Sequence, residues 1–325
     1  MGGAQAPPIG ASGLWEADRR MVLPNFIVVG APRCATTTLH YFLAKHHQVA
    51  TTQIKEPNFF LFGPGGVPSI DEPSIIRKSV RSQTAYEELF GHPSSTQTAA
   101  GEASPLYLYV REAAERILAL CGAIRIVCVV RDPVERAWSH FLYALPELAA
   151  ADGTGAFARL CDDEIRGGPE YTPYQTPTHL LRLGRYGEQV TRYQELFGAE
   201  QVKVFVLEEL ERDPASAGDE LCDFLGIDRS AESLAERMNI SGRSAGGVGG
   251  GARQLIRKVQ PVLKSVLPPK VAGRLALLRA RVNDRGLTPV AFDDETLRAR
   301  LVDWFSDDIA VLESATGAEL GHWRR

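Results

Sequence analysis

NFIVVGAPRCATTTLHYFL, residues 25–43, and IRIVCVVRDPVERAWSHFL, residues 124–142, decide the fold. Each runs from a short β-branched apolar segment through a tight turn with Gly or Pro into a helical pattern. That order aims a helix N-terminus, with its free N–H groups, at the carboxyl end of a strand and makes a seat for an anion. Two such seats in one chain, one rich in Thr and one opening Arg-Asp-Pro, point to a ligand with phosphate at both ends, such as a nucleotide bisphosphate.

Outward from these stretches, strand patterns at 26–29, 49–52, 98–102, 124–130 and 202–207 alternate with helical patterns at 36–45, 84–90, 110–120, 134–143 and 186–197. Such alternation implies right-handed crossovers and a parallel sheet covered on both faces. The expected fold is α/β, a three-layer α/β/α arrangement with a P-loop-like phosphate-binding loop and a helical C-terminal part. Ligands of such sheets bind beyond the carboxyl ends of the strands, so Arg33 and Arg131 are expected on one edge and the two seats in one crevice. Past residue 210 the pattern is helical, with a helix at 215–225, a Gly-rich break at 246–251 and a last helix at 294–315. Residues 145–183 lack clear periodicity and read as a long irregular loop. Its Tyr171, Tyr174 and His179 are read as exposed loop residues that pack locally, with contact to an acceptor as the alternative.

The chain has 325 residues, 44% of them hydrophobic, enough for a large core. Residues 1–22 are rich in Gly, Ala and Pro and read as a disordered lead-in without signal-peptide character; 23–325 read as one domain. No apolar run approaches the roughly 20 residues that cross a bilayer, so a cytoplasmic location is expected. Five cysteines without C-x-x-C spacing argue against a disulfide framework and a zinc site. A net charge of −4 gives no reason to expect nucleic acid. The segment 243–285 nevertheless holds ten Lys or Arg against one acid, leaving 26 bases and 39 acids elsewhere. Within it, 252–282 carries an amphipathic stripe. It reads as a lid over an anionic crevice, or else as a peripheral contact with a membrane surface.

A Walker loop, G-x-x-x-x-G-K-[ST], would need Gly and Lys where this chain has Ala35 and Thr36, which disfavours a kinase or ATPase with a divergent P-loop. A phosphatase cradle, C-x5-R, would place Arg where His40 stands. What remains is a metal-free cradle built from the backbone N–H groups of Cys34, Ala35, Thr36 and Thr37, the hydroxyls of Thr36, Thr37 and Thr38, and the guanidinium of Arg33. An ordinary Thr helix cap is the alternative use of the triplet.

At this point the sequence resembles the sulfotransferases that use 3′-phosphoadenosine-5′-phosphosulfate (PAPS), especially their bacterial and heparan-sulfate-type branch. GAPRCATTTL is similar to their 5′-phosphosulfate loop and RDPVERAWSHF to their 3′-phosphate motif. KEPNFF (55–60), GEASPLYL (101–108), GRYGEQVTRYQELFG (184–198) and the closing DDIAVLE (307–313) match further blocks in order. The resemblance implies that Arg131 and Ser139 bind the ribose 3′-phosphate, that Glu56 is the general base, and that Arg33, where many relatives carry Lys, stabilises the leaving phosphate with help from Lys55. It puts Tyr186 near the cofactor crevice. Arg243, before the Gly run, is a further phosphate ligand on this reading. PAPS would be the co-substrate, no metal would be required, and a carbohydrate, glycolipid or other small molecule would accept the sulfuryl group. Ala103 stands where several heparan-sulfate enzymes carry Lys, which weakens the case for a sulfated glycan acceptor. His46 and His47 are read as structural, His140 as packed, and Arg136 as an ion-pairing residue of its helix.

Overall fold

The five apolar runs form five parallel strands: β1 (Phe26–Gly30), β2 (Val49–Thr51), β3 (Ala99–Ala103), β4 (Arg125–Val130) and β5 (Val202–Val206). They lie in the order β2-β3-β1-β4-β5. The computed structural model describes residues 22–168, 172–174, 179–230, 234–235 and 292–325. The lead-in through residue 21, Tyr171, Arg243 and the segment 252–282 lie outside the described residues. The chain divides into two compact units, 1–234 with 292–325, and 235–291; every described residue but Ala235 belongs to the first.

All residues of β1, β3 and β4 are buried, as expected of strands covered on both faces. β1 is the centre: Phe26 stands opposite Gly101 of β3 on one side and Arg125 of β4 on the other. Gly101 is needed there, because a Cβ on it would fall 2.3 Å from the Phe26 ring. The helices are α1 (Thr36–Ala44), α2 (Pro73–Ile76), α3 (Gln83–Glu88), α4 (Arg111–Cys121), α5 (Pro133–Ala144), α6 (Pro146–Arg166), α7 (Tyr186–Phe197), α8 (Leu207–Arg212), α9 (Pro214–Leu225) and α10 (Glu295–Thr316). No described helix is long and apolar enough to cross a membrane.

Most sequence expectations hold to within a residue or two, but 145–183 does not. Its first half is α6, a 21-residue helix with a non-helical Asp152 (φ −155°) inside it. The buried face of α6 carries Ala156, Phe157, Cys161 and Glu164, and a stripe so small and partly polar gives little periodic signal. Glu164 is inside because its carboxylate accepts the N–H groups of Leu181 (2.8 Å) and Arg182 (2.7 Å), tying the returning chain to the helix. Tyr174 and His179 are buried rather than exposed. The Tyr174 hydroxyl lies 3.5 Å from His140 Nε2, and Thr172 Oγ1 lies 2.8 Å from His179 Nε2. Neither forms an open acceptor wall.

The block GRYGEQ is explained by α10. A Cβ on Gly187 would meet the Asp308 carbonyl at 2.3 Å, so only Gly lets the two helices approach this closely. Buried Asp308 then caps α7 from across the contact, accepting from Gly187 N–H at 2.8 Å and Glu188 N–H at 3.1 Å. Burial pushes its pKa up, against the pull of those two donors. Asp308→Ala should lower stability by about 1–2 kcal/mol, the worth of a good helix cap, and Asp308→Asn by less. Urea unfolding of the two variants measures the difference.

Candidate active site

The loop after β1 turns sharply. Cys34 N–H donates to Ala31 O at 3.2 Å, and Arg33 (φ 72°) and Ala35 (φ 55°) both sit in the left-handed region. Ala35 is the N-cap of α1 and offers no side-chain cap, so Thr36, Thr37 and Thr38 fall inside the first turn and none of them caps the helix. The cap reading of the triplet is therefore replaced: among the described residues the amides of Ala35, Thr36 and Thr37 donate to nothing. These are the orphan donors of a helix N-terminus, beside an exposed arginine, in the place where an anion is stabilised. Thr37 is exposed, while Thr36 and Thr38 are buried. The Cys34 amide, counted in the cradle from sequence, is instead used inside the turn.

Cys34 also faces inward. It is fully buried, with Sγ 3.7 Å from the hydroxyl of buried Tyr186. Burial pushes the thiol up to about 11, outweighing Arg136 and Arg131, so the group is a thiol and no phosphatase nucleophile. Tyr186 reaches the loop from beneath, through Cys34, not from its open side.

The second seat forms as its sequence dictates. Asp132 caps α5, accepting from Val134 N–H at 2.8 Å and Glu135 N–H at 3.1 Å, and Pro133 takes the first helical position, where it needs no donor. Arg298 of α10 reaches back to the Asp132 carboxylate and lies 3.2 Å from Glu135 Oε1, locking the cap. Arg131, at the end of β4, approaches Glu135 only to 3.9 Å. Its Nε is buried and makes no hydrogen bond among the described residues, a donor that calls for an acceptor. Arg136 does not pair with the acids of its helix, as sequence suggested; fully buried, it donates to Leu180 O and to His140 Nδ1.

The two seats meet. Arg33 Nε lies 3.3 Å from Ser139 Oγ of α5, 106 residues away in sequence, and its guanidinium stacks 4.5 Å from the Tyr143 ring. On the other flank of β1, the Glu56 N–H donates to Ala103 O at 3.2 Å, which fixes KEPN at the end of β3. Lys55 Nζ donates to Glu56 Oε1. The Glu56 side chain is 47% exposed and Lys55 20%, so the carboxylate keeps a face to solvent while its cation is partly covered. Arg33, Lys55 and Glu56, with the α1 amides, Ser139 and Arg131, thus line one edge of the sheet.

His40, His46 and His140 are buried. His46 is held by Gln48 N–H on Nδ1 (3.1 Å) and lies 2.8 Å from Asp228 O through Nε2. Burial, with Lys55 adding to it, holds His40 down at about 4, and burial with Arg136 and Arg33 holds His140 at about 3. Both folded values lie below the ordinary 6.5, so the unfolded chain binds more protons below that pH. Stability should be full above about 6.5 and fall as pH drops through 4 toward 3. Urea midpoints across that window should show the slope, and His140→Gln should flatten it.

Sequence reading missed two groups. Arg298 is one: nothing in a C-terminal helix announces contact with a cap 166 residues earlier. Glu102 is the other, a fully buried carboxyl inside GEASP that accepts from Ser104 Oγ at 2.7 Å.

Known proteins resemble the chain along most of this unit. A family model described as "Sulfotransferase domain" matches residues 23–241. The chain is 30% identical over 126 residues to the membrane-associated sulfotransferase kil1 of Dictyostelium discoideum, covering 38% of this chain and 24% of that protein. It is 28% identical over 222 residues to human heparan sulfate glucosamine 3-O-sulfotransferase 6, covering 68% and 58% of the two. The crystal structure of a sulfotransferase from Alicyclobacillus acidocaldarius matches with a TM-score of 0.63 at 26% identity, over 94% of this chain and 100% of that one. The chain spans less than two thirds of the length of either curated relative.

Proposed function

This chain belongs to the sulfotransferase family, and from that premise we propose that it moves a sulfuryl group from PAPS to a hydroxyl or amine of a carbohydrate, glycolipid or other small-molecule acceptor. One observation carries the reading: amides at Ala35, Thr36 and Thr37 that donate to nothing among the described residues share an edge with Arg131, whose buried Nε makes no hydrogen bond among those residues. A nucleotide with phosphate at both ends answers both needs. The α1 amides, the Thr37 hydroxyl and Arg33 would take the 5′ end, and Arg131 with Ser139 the 3′-phosphate, where a planar guanidinium suits phosphate oxygens.

The roles of the residues follow from charge. As the acceptor oxygen or nitrogen bonds to sulfur, the bond from sulfur to the bridging 5′-phosphate oxygen breaks, and negative charge grows on that oxygen. Arg33 and the α1 amides stabilise it where it develops, which lowers the barrier rather than merely binding the ground state. The acceptor proton passes to Glu56, and 3′-phosphoadenosine-5′-phosphate (PAP) leaves. Arg33 acts as a fixed cation, since arginine does not give up its proton near neutrality. Lys55, bonded to Glu56, holds the carboxylate and adds positive charge at the same edge.

The test is transfer of radiolabelled sulfuryl from PAPS to a panel holding an N-deacetylated heparosan, a glycolipid and a simple phenol, with hydrolysis of PAPS by water followed alongside. Label on one acceptor class, with stoichiometric PAP, is the expected result. Absence of label on every acceptor and of any PAP would overturn the reading.

A further inference from the structure

Among the described residues, four that are not glycine have positive φ: Arg33, Ala35, Glu56 and Asn58. Each such conformation costs roughly 1–2 kcal/mol and persists only where the surroundings impose it. For Glu56 and Asn58 the surroundings are visible. The turn is pinned by Glu56 N–H to Ala103 O (3.2 Å) and Val80 N–H to Pro57 O (2.9 Å). Two further amides, those of Asn58 and Phe60, donate instead to side-chain hydroxyls, Ser104 Oγ at 3.2 Å and Tyr107 Oη at 3.3 Å.

Ser104 can serve Asn58 because its own proton is spent elsewhere, on Glu102 Oε2 at 2.7 Å. The other oxygen of Glu102 accepts from the Tyr86 hydroxyl at 3.4 Å. Glu102 is 1% exposed, and Ser104, Tyr86 and Tyr107 are completely buried. Burying a carboxyl among hydroxyls costs free energy that an apolar residue in β3 would not, and none of the described ion pairs includes Glu102. Burial pushes its pKa up to about 7, with the like charge of Glu56 acting in the same direction. A costly group retained directly beneath a strained turn indicates that the turn is what it serves.

We propose that Glu102 and Ser104 are positioning residues for Glu56: the carboxyl orients the Ser104 hydroxyl, the hydroxyl holds Asn58 N–H, and the pair fixes the turn that aims the Glu56 carboxylate at the acceptor. Neither group touches substrate. This rests on the function proposed above, with Glu56 as the base.

The test is a double-mutant cycle on sulfuryl transfer from PAPS, read on the best acceptor of the panel, or on water if none accepts, together with calorimetric PAP affinity. Ser104→Ala should lower kcat on the order of 10- to 100-fold, the usual consequence of a catalytic group displaced by a fraction of an ångström to an ångström. PAP affinity and the KM for PAPS should stay close to wild type, and Ser104→Thr, which keeps the hydroxyl, should recover most of the rate. Glu102→Gln should be mild and Glu102→Leu should resemble Ser104→Ala. In a Glu56→Gln background, Ser104→Ala should change kcat little, because its effect passes through Glu56. An equal loss in both backgrounds, or unchanged kcat in Ser104→Ala, would overturn the positioning role while leaving sulfuryl transfer intact. A wild-type protein that forms no PAP from PAPS would defeat the function and this role together.

Discussion

Glu56→Gln should lower the rate of sulfuryl transfer by about 10²–10⁴-fold, the range that a positioned proton acceptor supplies, while PAP affinity stays nearly unchanged. Glutamine keeps the size of the side chain and can still accept a bond from Lys55, so the turn at the end of β3 should survive. It cannot take the proton of the acceptor. The nucleotide is expected to sit on the other side of the site, against the α1 amides, Arg33, Ser139 and Arg131, whereas the Glu56 carboxylate is bonded to Lys55. The measurement is a pair: single-turnover transfer from labelled PAPS and calorimetric titration with PAP. An equal loss of both would show that Glu56 builds the site rather than doing its proton chemistry.

Arg131→Ala has the opposite signature. Its loss should weaken PAP binding by about 2–5 kcal/mol, roughly 30-fold to several thousand-fold, because it strips a charged partner from a phosphate at a half-buried place. Arg131→Lys should fall between, keeping the charge and losing the planar fork. The fold should tolerate the truncation, since Asp132, Glu135 and Arg298 hold the start of α5 without Arg131. At saturating PAPS much of the transfer rate should return, which separates a binding role from a catalytic one.

The sheet and its two seats were legible because their residues obey rules that act over a few positions. FIVVG and IVCVV are buried on both faces and so appear as unbroken apolar runs, and each is followed by the Gly or Pro turn that a strand-to-helix change requires. RDP announces the start of α5 because Asp caps and Pro fits the first turn. α6 was hidden by the opposite situation. Its inward face is short, interrupted at Asp152 and shared with Glu164, whose partners lie 17 and 18 residues further on. Glu102 was hidden for a related reason: AAGEA carries no large apolar side chain to show that every residue of the strand is inside. The inward turn of Asp308 was within reach, since Leu301, Phe305, Ile309 and Leu312 trace the buried stripe of α10 and residue 308 falls on it. What it caps was not, because that depends on how α10 meets α7.

Among the described candidate site residues, burial and bonding separate groups that the sequence reading took together. Cys34 belongs to the loop and Tyr186 to α7, and burial makes the pair a support for the loop. Ala35 is the informative case: a non-glycine residue at φ 55° that caps nothing leaves the amides behind it open. Glu56 and Asn58 are held in the same strained region across the site. Strain collected at the two turns that face the sheet edge, and at no other non-glycine residue described, marks that edge as the working part of the molecule.

The most direct measurement is calorimetric titration of the full chain with PAP in the presence of a chelator, with ATP and magnesium as the comparison. Tight, metal-independent binding of PAP, weakened in Arg131→Ala, is the predicted result. Preference for ATP with magnesium, or PAP binding indifferent to Arg131, would contradict a site built to hold a nucleotide by phosphates at both ends.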